Sequence, residues 1–324
     1  MNILLTGGAG YIGSVVGLFL LDQGYKITVI DNLITGDEKL IPQAANFLKA
    51  DISDEEKVTA LLKKNRFDLV MHFAGLAKVD ESFKYPEKYN LYNVVKAKTF
   101  FNYCIDAGLN KIIFSSTAGV YGNSSKKRVD ENEELNPMSP YSNDKIEIEK
   151  YLVNLSNKDK LKCVILRYFN VAGADKKNRS GMVGKNSNNL IKALSEFILN
   201  KRTKFVINGS DYDTRDGTPV RDFIDINDLA EIHLIVSKYL IKNGKTDIFN
   251  CGYGNGFSVL EVVLEMEKIL NKKLNIKKEE RREGDIPHSV ANCEKFKKKF
   301  SWSPKYNNLN NILESSLNWE KKIK

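Results

Sequence analysis

The sequence predicts a mixed α/β fold organised on a doubly wound parallel sheet, and three features of its 324 residues carry that prediction. At the start, Ile3-Leu4-Leu5-Thr6 breaks into Gly7-Gly8-Ala9-Gly10-Tyr11-Ile12-Gly13. Val15, Val16, Phe19 and Leu20 follow at the spacing of one helical face, giving the order strand, tight turn, helix. Short apolar runs then alternate with helical patterns of about ten residues or more, as parallel strands joined by crossover helices require. Finally, Gly8, Asp31, Gly75 and Thr117 all fall at the carboxyl ends of predicted strands, where open α/β sheets of the Rossmann type bind their ligands.

Each element follows from local chemistry. Gly8, Gly10 and Gly13 have the G-x-G-x-x-G spacing, which lets a backbone turn sharply and approach a pyrophosphate with no Cβ in the way. The helix behind them directs free N–H groups and the positive end of its dipole at such phosphates. The second strand, Ile27-Thr28-Val29-Ile30, ends in Asp31. A carboxylate there accepts hydrogen bonds from a ribose and repels a 2′-phosphate, which points to NAD rather than NADP.

Phe47 to Lys49, then Asp51-Ile52, lead into a helical pattern over Glu55 to Lys64. Leu69 to Phe73 reads as a buried strand stopped by Ala74-Gly75. A long helix is expected from Pro86 through Tyr92, Val95, Phe100 and Tyr103 to Ala107-Gly108, then a strand from Lys111 to Phe114 ending in Ser115-Ser116-Thr117. A polar loop closed by Pro137 and Pro140 precedes a helix opened by Tyr141, and Cys163 to Tyr168 is the next strand.

Beyond Asn170 the alternation fails: Asp175 to Asn189 is polar, and helices and short strands follow in mixed order. Residues 1–170 are therefore expected to form an NAD-binding domain, completed by pieces of about 224–251 (a helix over Ile224 to Lys242 and an edge strand over Ile248 to Asn250). Residues 171–324 are expected to form mainly a smaller α/β substrate domain.

Composition narrows the class. A hydrophobic content of 42% suits a soluble globular chain, no run is long enough to span a bilayer, and Met1-Asn2 lead directly into the first strand, so a cytoplasmic enzyme is expected. Cys104, Cys163, Cys251 and Cys293 are far apart, with Cys163 and Cys251 in or beside apolar runs. His72, His233 and His288 lack ligand spacing, so neither a disulfide framework nor a metal is expected. The net charge of +9 comes from lysines spread along the chain, with small clusters at 126–128, 297–299 and 321–322. Without an aromatic-interleaved basic stripe, this predicts a solvated surface that attracts a small anion, not a nucleic-acid or membrane partner.

The sharpest chemical signal after the glycines is Tyr141-x-x-x-Lys145. Residues four apart share a helical face, so phenol and ammonium are expected in one cleft. A free phenol, with pKa about 10, is a poor base at neutral pH, and lowering it by about 3 units needs about 4 kcal/mol. A cation 4–6 Å away at an effective dielectric near 20 supplies about 3–4 kcal/mol, and a nicotinium ring adds more against the opposing cost of desolvation. Thr117, at a strand end, is expected to hydrogen-bond the same substrate oxygen.

Thr6 to Gly13, Asp31-Asn32, Asp51-Ile52 and Tyr141-x-x-x-Lys145 together resemble the extended short-chain dehydrogenase/reductase family, and within it the UDP-glucose 4-epimerases. The likeness continues through His72 to Leu76, Phe114 to Thr117 with Val120-Tyr121-Gly122, Arg167 to Asn170, Asn188-Asn189-Leu190, Asp216-Gly217-Thr218, Val220-Arg221-Asp222 and Arg281-Arg282-Glu283-Gly284-Asp285. The resemblance implies epimerisation at carbon 4 of a UDP-hexose through a 4-keto sugar. Tyr141 would be the base, Lys145 would hold the nicotinamide ribose and lower the Tyr141 pKa, and Thr117 would align the oxygen. The NAD site it implies comprises Gly7, Gly10, Tyr11, Ile12, Gly13, Asp31, Asn32, Asp51, Ile52, Phe73, Ala74, Gly75, Lys78, Asn93 and Tyr168 besides Tyr141 and Lys145. The UDP-sugar side comprises Asn170, Asn189, Leu190, Arg221, Arg282, Asp285 and Ser289 besides Thr117 and Tyr141. A homodimer through helices over Pro86–Ala107 and Pro140–Leu155 is implied too.

Three positions depart from the family pattern. Ala77 stands where a lysine is usual, with Lys78 next; Thr117 replaces a common serine; and Ser289 replaces the bulky tyrosine of glucose-restricted members. A small residue there leaves room for an N-acetyl group, so UDP-GlcNAc and UDP-GalNAc are expected substrates besides UDP-glucose and UDP-galactose. Other readings stay open: a nucleotide-sugar dehydratase, though Ala118-Gly119 stand where such enzymes add an Asp-Glu pair, a decarboxylase, or a non-catalytic NAD-binding sensor.

Overall fold

A computed structural model describes residues 1–184, 188–282 and 284–323; Glu283 of the arginine-rich motif, and residues 185–187 of the polar stretch after Asp175, lie outside the described residues. The chain divides into two compact units. The first comprises Met1–Val120, Pro137–Arg167 and Ala230–Phe249, and the second Tyr121–Asn136, Tyr168–Leu229 and Asn250–Lys324.

In chain order the first stretch contains β1 (Asn2–Thr6), α1 (Tyr11–Asp22), β2 (Lys26–Asp31), β3 (Asn46–Lys49), α2 (Glu55–Lys64), β4 (Leu69–His72), α3 (Val79–Lys84), α4 (Pro86–Asn90), α5 (Lys96–Asp106), β5 (Lys111–Thr117), α6 (Pro140–Asn157) and β6 (Lys162–Tyr168). The helix expected from Pro86 is one continuous rod with a wider, π-type turn at Leu91–Val95 between α4 and α5. It stops at Gly108, whose φ of +78° a side chain would oppose. Pro140 begins α6 because its missing N–H costs nothing in a first turn, and the Ser139 hydroxyl caps that turn by accepting the Ser142 N–H at 3.2 Å.

The remainder contains β7 (Asn170–Ala172), α7 (Leu190–Ile198), β8 (Val206–Asn208), β9 (Val220–Asp225), α8 (Ile226–Ile241), β10 (Asp247–Cys251), β11 (Gly256–Ser258), α9 (Val259–Leu270), β12 (Lys277–Glu279), β13 (His288–Ser289), α10 (Glu294–Phe300) and α11 (Leu309–Lys322). Ile224, expected to open a helix, lies instead in β9: β-branched Val220 and Ile224 favour the strand, and the Asp225 carboxylate caps the turn that follows by accepting the Asn227 N–H at 2.7 Å.

Seven strands form the main sheet in the order β10-β6-β5-β4-β1-β2-β3, parallel from β5 through β3. The chain runs from β1 outward to β2 and β3, then returns to β4 on the other side of β1. The boundary between β1 and β4 is thus the topological switch point of a doubly wound sheet. Leu4, Val70, Ile112 and Ile165 are fully buried, as expected for strands covered on both faces, and pack with Val58, Phe100, Phe101 and Ile148 from α2, α5 and α6. All four cysteines are buried free thiols. In the second unit β7, β11, β9 and β13 form a small sheet, and β12 pairs in parallel with β8.

Candidate active site

The turn after β1 is built so that only glycine fits. Gly7 has a φ of +71°, and a Cβ on it would lie 2.5 Å from the Ala74 backbone nitrogen; one on Gly13 would lie 2.4 Å from the Gly7 carbonyl oxygen. The Gly10 N–H donates to the Gly7 carbonyl at 3.1 Å and Gly10 is the N-cap of α1, whose first residues Tyr11 and Ile12 are half-buried. Asp31, nearly buried at the end of β2, accepts the Ala9 N–H at 3.0 Å and the Leu33 N–H at 2.8 Å. A glycine cradle at a helix N-terminus with a fixed carboxylate one strand away fits the pyrophosphate and ribose of NAD.

At the end of β3, Asp51 accepts from Asn32 Nδ2 at 2.9 Å, from the Ser53 N–H and hydroxyl, and from Lys96 Nζ at 2.6 Å. Burial would raise this carboxyl, but those donors outweigh it and hold it at about 2. Ile52 beside it is buried. Lys96 also lies 4.0 Å from the Tyr92 ring, so its charge is spoken for twice.

After β4 the chain runs through Phe73 and Ala74 to Gly75, where a Cβ would press on Asn93 Oδ1 at 2.8 Å and lie 3.9 Å from Lys145 Nζ. Asn93 brackets this turn, accepting the Leu76 N–H at 2.7 Å and donating to the Leu76 carbonyl at 3.1 Å. Its amide is thus already engaged as a clamp on the loop. Phe73 packs on buried His233 with ring centroids 5.1 Å apart, and exposed Lys78 immediately precedes α3.

Lys145 is buried and donates to the Ser115 carbonyl at 2.9 Å; its Nζ stands 4.9 Å from the Phe114 ring and 5.7 Å from the Tyr141 ring. Thr117 hydrogen-bonds the Tyr141 hydroxyl, and its own Oγ1 accepts the Gly119 N–H at 3.1 Å. The three residues predicted from spacing are therefore brought together at the end of β5. The expected lowering of the Tyr141 pKa by Lys145 is not met in the protein alone. Burial pushes the phenol up to about 12 despite the Thr117 hydrogen bond. Burial also pulls Lys145 down to about 8, against the pull of Asp144 and Glu149. Two groups that each need water to charge have been taken out of it, so desolvation wins on both. His72, bonded to Thr6 Oγ1 at 2.9 Å, is held neutral by the same burial and by the nearby Lys145 charge, down at about 3.

In the second unit Tyr168 is buried at the end of β6 and Asn170 opens β7. Asn189 caps α7, accepting the Lys192 N–H at 3.2 Å, and donates to the Val171 carbonyl at 3.2 Å, which ties the α7 start to β7. Arg221 donates to the carbonyls of Val220 and Ile286 at 3.0 and 2.8 Å, and lies 3.5 Å from Asp285; Arg282 lies 3.3 Å from the same carboxylate. Two guanidinium groups on one carboxylate leave a net positive charge and forked donors, the chemistry of a pyrophosphate site. Ser289 stands in register with Arg221 on adjacent, parallel β13 and β9.

Spacing alone did not single out the residues behind the candidate site: Asn90 and Asn93 donating to Asp144 between Tyr141 and Lys145, Lys96 on Asp51, and a buried cluster of Ser116, Glu149 and Arg167. Glu149 carried one overlooked signal, since Tyr141, Lys145 and Glu149 repeat every four residues along α6.

No group of three or more His, Cys, Asp or Glu placed to hold a metal occurs among the described residues, and no helix among them is long and apolar enough to cross a membrane. Comparison with known proteins adds the family. Residues 3–252 match the model of the NAD dependent epimerase/dehydratase family. The chain is 38% identical to a UDP-glucose 4-epimerase of Azospirillum brasilense over 99% of its own length and 92% of that protein. It superposes with a TM-score of 0.93 on the UDP-glucose 4-epimerase of Bifidobacterium longum in complex with NAD+ and UDP, at 31% identity over 99% and 98% of the two chains. With the UDP-Glc/GlcNAc 4-epimerase of Campylobacter jejuni the identity is 39% and the TM-score 0.85, over 99% of both chains. The chain belongs to the NAD dependent epimerase/dehydratase family, and within it to the UDP-glucose 4-epimerases.

Proposed function

We propose that the protein interconverts UDP-glucose and UDP-galactose by inverting carbon 4 through a 4-keto sugar, with NAD as resident cofactor. The observation that carries this reading is the chain of contacts from the glycine turn to the base: Gly7 packs on Ala74, Gly75 lies beside Lys145, and Lys145 stands with Tyr141 and Thr117 at the end of β5. Bound NAD supplies a reversible hydride acceptor, so the reaction needs no external oxidant.

The chain's own residues do the rest. Gly7, Gly10 and Gly13 with Tyr11 and Ile12 take the pyrophosphate, and Asp31 and Asn32 a ribose. Asp51, Ile52 and Phe73 to Gly75, with Lys78, Asn93 and Tyr168, line the remainder. Tyr141 removes the 4-hydroxyl proton and returns it after the keto sugar has turned its other face; Thr117 holds that oxygen and Lys145 stabilises the phenolate. Asn170, Asn189, Leu190, Arg221, Arg282 and Asp285 retain the UDP portion while the sugar turns. In this reading residues 1–170 with about 224–251 serve NAD and the rest serves the nucleotide sugar.

The substrate range extends to UDP-GlcNAc and UDP-GalNAc, because Ser289 offers a short side chain where an acetamido group needs volume; the likeness to the Campylobacter jejuni enzyme supports this. Two copies pair through the helices over 86–107 and 140–155, since Leu91 and Val95, four apart on one face, leave apolar side chains exposed at 45% and 48%. The enzyme works in the cytoplasm. Proton NMR of each of the four UDP sugars with protein as purified and no added NAD tests the reading. Interconversion within each pair is expected, together with loss of turnover in Tyr141→Phe; full activity of that variant refutes the base, and stoichiometric consumption of NAD refutes epimerisation.

A further inference from the structure

The helix that bears Tyr141 and Lys145 presents a third side chain on the same face, one turn on. Glu149 is 3% exposed and accepts from the Ser116 hydroxyl, from Arg167 Nε at 3.0 Å and from Arg167 Nη2 at 2.6 Å. Arg167, on β6, is equally buried, and Ser116 is the residue of β5 between Ser115, whose carbonyl receives the Lys145 ammonium, and Thr117. The carboxylate therefore ties α6, β5 and β6 together behind the catalytic residues.

A buried ion pair is a poor device for stability alone, because the cost of desolvating both ions approaches the attraction regained, and an apolar pair of similar volume serves as well. A fully hydrogen-bonded one does define a single arrangement and a fixed local potential. We propose, on the reading of Tyr141 and Lys145 given above, that Glu149 is the positioning residue of the catalytic lysine: its carboxylate keeps Lys145 protonated and, through Ser116, fixes the strand end that receives the ammonium. Lys145 needs such help, since it is buried against Phe114 with only one carbonyl as a direct acceptor described. The charged and titratable groups around it are Tyr141, Asp144 and Glu149 on its own helix, His72 on β4 and Arg167 on β6. His72 is neutral; Asp144, held by Asn90 and Asn93, is the stronger carboxylate influence on Lys145, and Glu149 is the second.

The test uses the holoenzyme and two variants. Glu149→Gln removes the carboxylate that pairs the buried Arg167 charge, which threatens folding, so the paired variant Glu149→Gln/Arg167→Met is made beside it. The Lys145 titration is followed by NMR of lysine labelled at Cε, assigned through Lys145→Met, and the pH profile of kcat is measured separately. Expected is a fall of the Lys145 pKa by about one unit from about 8 in Glu149→Gln and a smaller fall in the paired variant, where the Arg167 charge goes with the carboxylate, with the loss of kcat on the alkaline side setting in correspondingly lower. Glu149→Asp, which restores the charge, is expected to move the titration back. An unmoved Lys145 titration, with a kcat profile merely scaled down at every pH, overturns the proposal and leaves the pair as scaffolding. Failure of the broader reading looks different: Lys145→Met would then keep full activity, whatever Glu149 does to the lysine's titration.

Discussion

Replacing Lys145 with methionine keeps most of the stem and removes the charge, so the electrostatic part of its role is isolated. In the protein alone the Tyr141 phenol sits at about 12. To act as a base near pH 7.5 it must come down by about 4–5 units, worth about 6 kcal/mol at 1.36 kcal/mol per unit. The Lys145 ammonium lies 5.7 Å from the Tyr141 ring. At an effective dielectric of about 20, a unit charge at that range contributes about 3 kcal/mol, or about 2 units. The value of about 12 already includes Lys145, so the descent falls to the positive ring of oxidised nicotinamide, and Lys145 serves to keep the phenol from standing about 2 units higher still. Lys145→Met is thus expected to lower kcat about 100-fold at pH 7.5, and to move the acid limb of the profile up by about 2 units, so the deficit shrinks towards pH 9.5. The assay is interconversion of UDP-galactose and UDP-glucose by NMR between pH 6 and 10, with bound NAD quantified in each sample. A deficit of the same size at every pH refutes the argument, because it would mean that the lysine only holds the cofactor.

Three further outcomes are expected. Gly13→Ala places a methyl 2.4 Å from the Gly7 carbonyl oxygen and 2.9 Å from the Gly8 Cα, both backbone, so the turn must open. A loss of about 2 kcal/mol in thermal unfolding and of most co-purifying NAD is expected, and a variant retaining full NAD content contradicts the cradle. Ser289→Tyr is expected to abolish turnover of UDP-GlcNAc while changing that of UDP-glucose less than threefold; equal turnover of the acetylated pair in both proteins removes Ser289 as the gatekeeper. Asp225 is buried, and burial followed by the neighbouring Asp228 charge pushes it up to about 7. Between about pH 3.9 and 7 the folded state holds a proton that the unfolded chain has lost, so this group's contribution is complete below that window and falls by about 1.4 kcal/mol per pH unit through it. Urea unfolding of Asp225→Asn against the parent should show the variant gaining relative stability from pH 4 to 7, and a pH-independent difference would contradict the sign.

The sheet was legible because its strands report themselves twice, as apolar runs and as the residues that stop them. Leu69 to His72 is buried throughout, and the chain turns at Gly75 as expected. Ile224 misled for a physical reason: an apolar residue before Ile226, Leu229 and Ala230 fits the helical period, and only the Asp225 carboxylate capping Asn227 shows where strand yields to helix. The π-type turn at Leu91–Val95 leaves no trace in periodicity either, because one extra residue in a turn merely shifts which apolar side chains face outwards.

At the site, the sequence marks which residues meet at the end of β5 but not their protonation. Spacing puts Tyr141 and Lys145 on one face, and from that alone the ammonium ought to acidify the phenol. What spacing cannot express is that α6 lays both against a sheet end with little water, so burial raises one pKa to about 12 and lowers the other to about 8. Nor can it express Glu149, whose partners Ser116 and Arg167 come from two strands that are distant in sequence. The same burial that spoils the simple expectation is what makes the arrangement useful. On the proposed reading, a phenol at about 12 takes a proton only once further positive charge stands beside it, and a lysine near 8 responds to the carboxylates on its own helix.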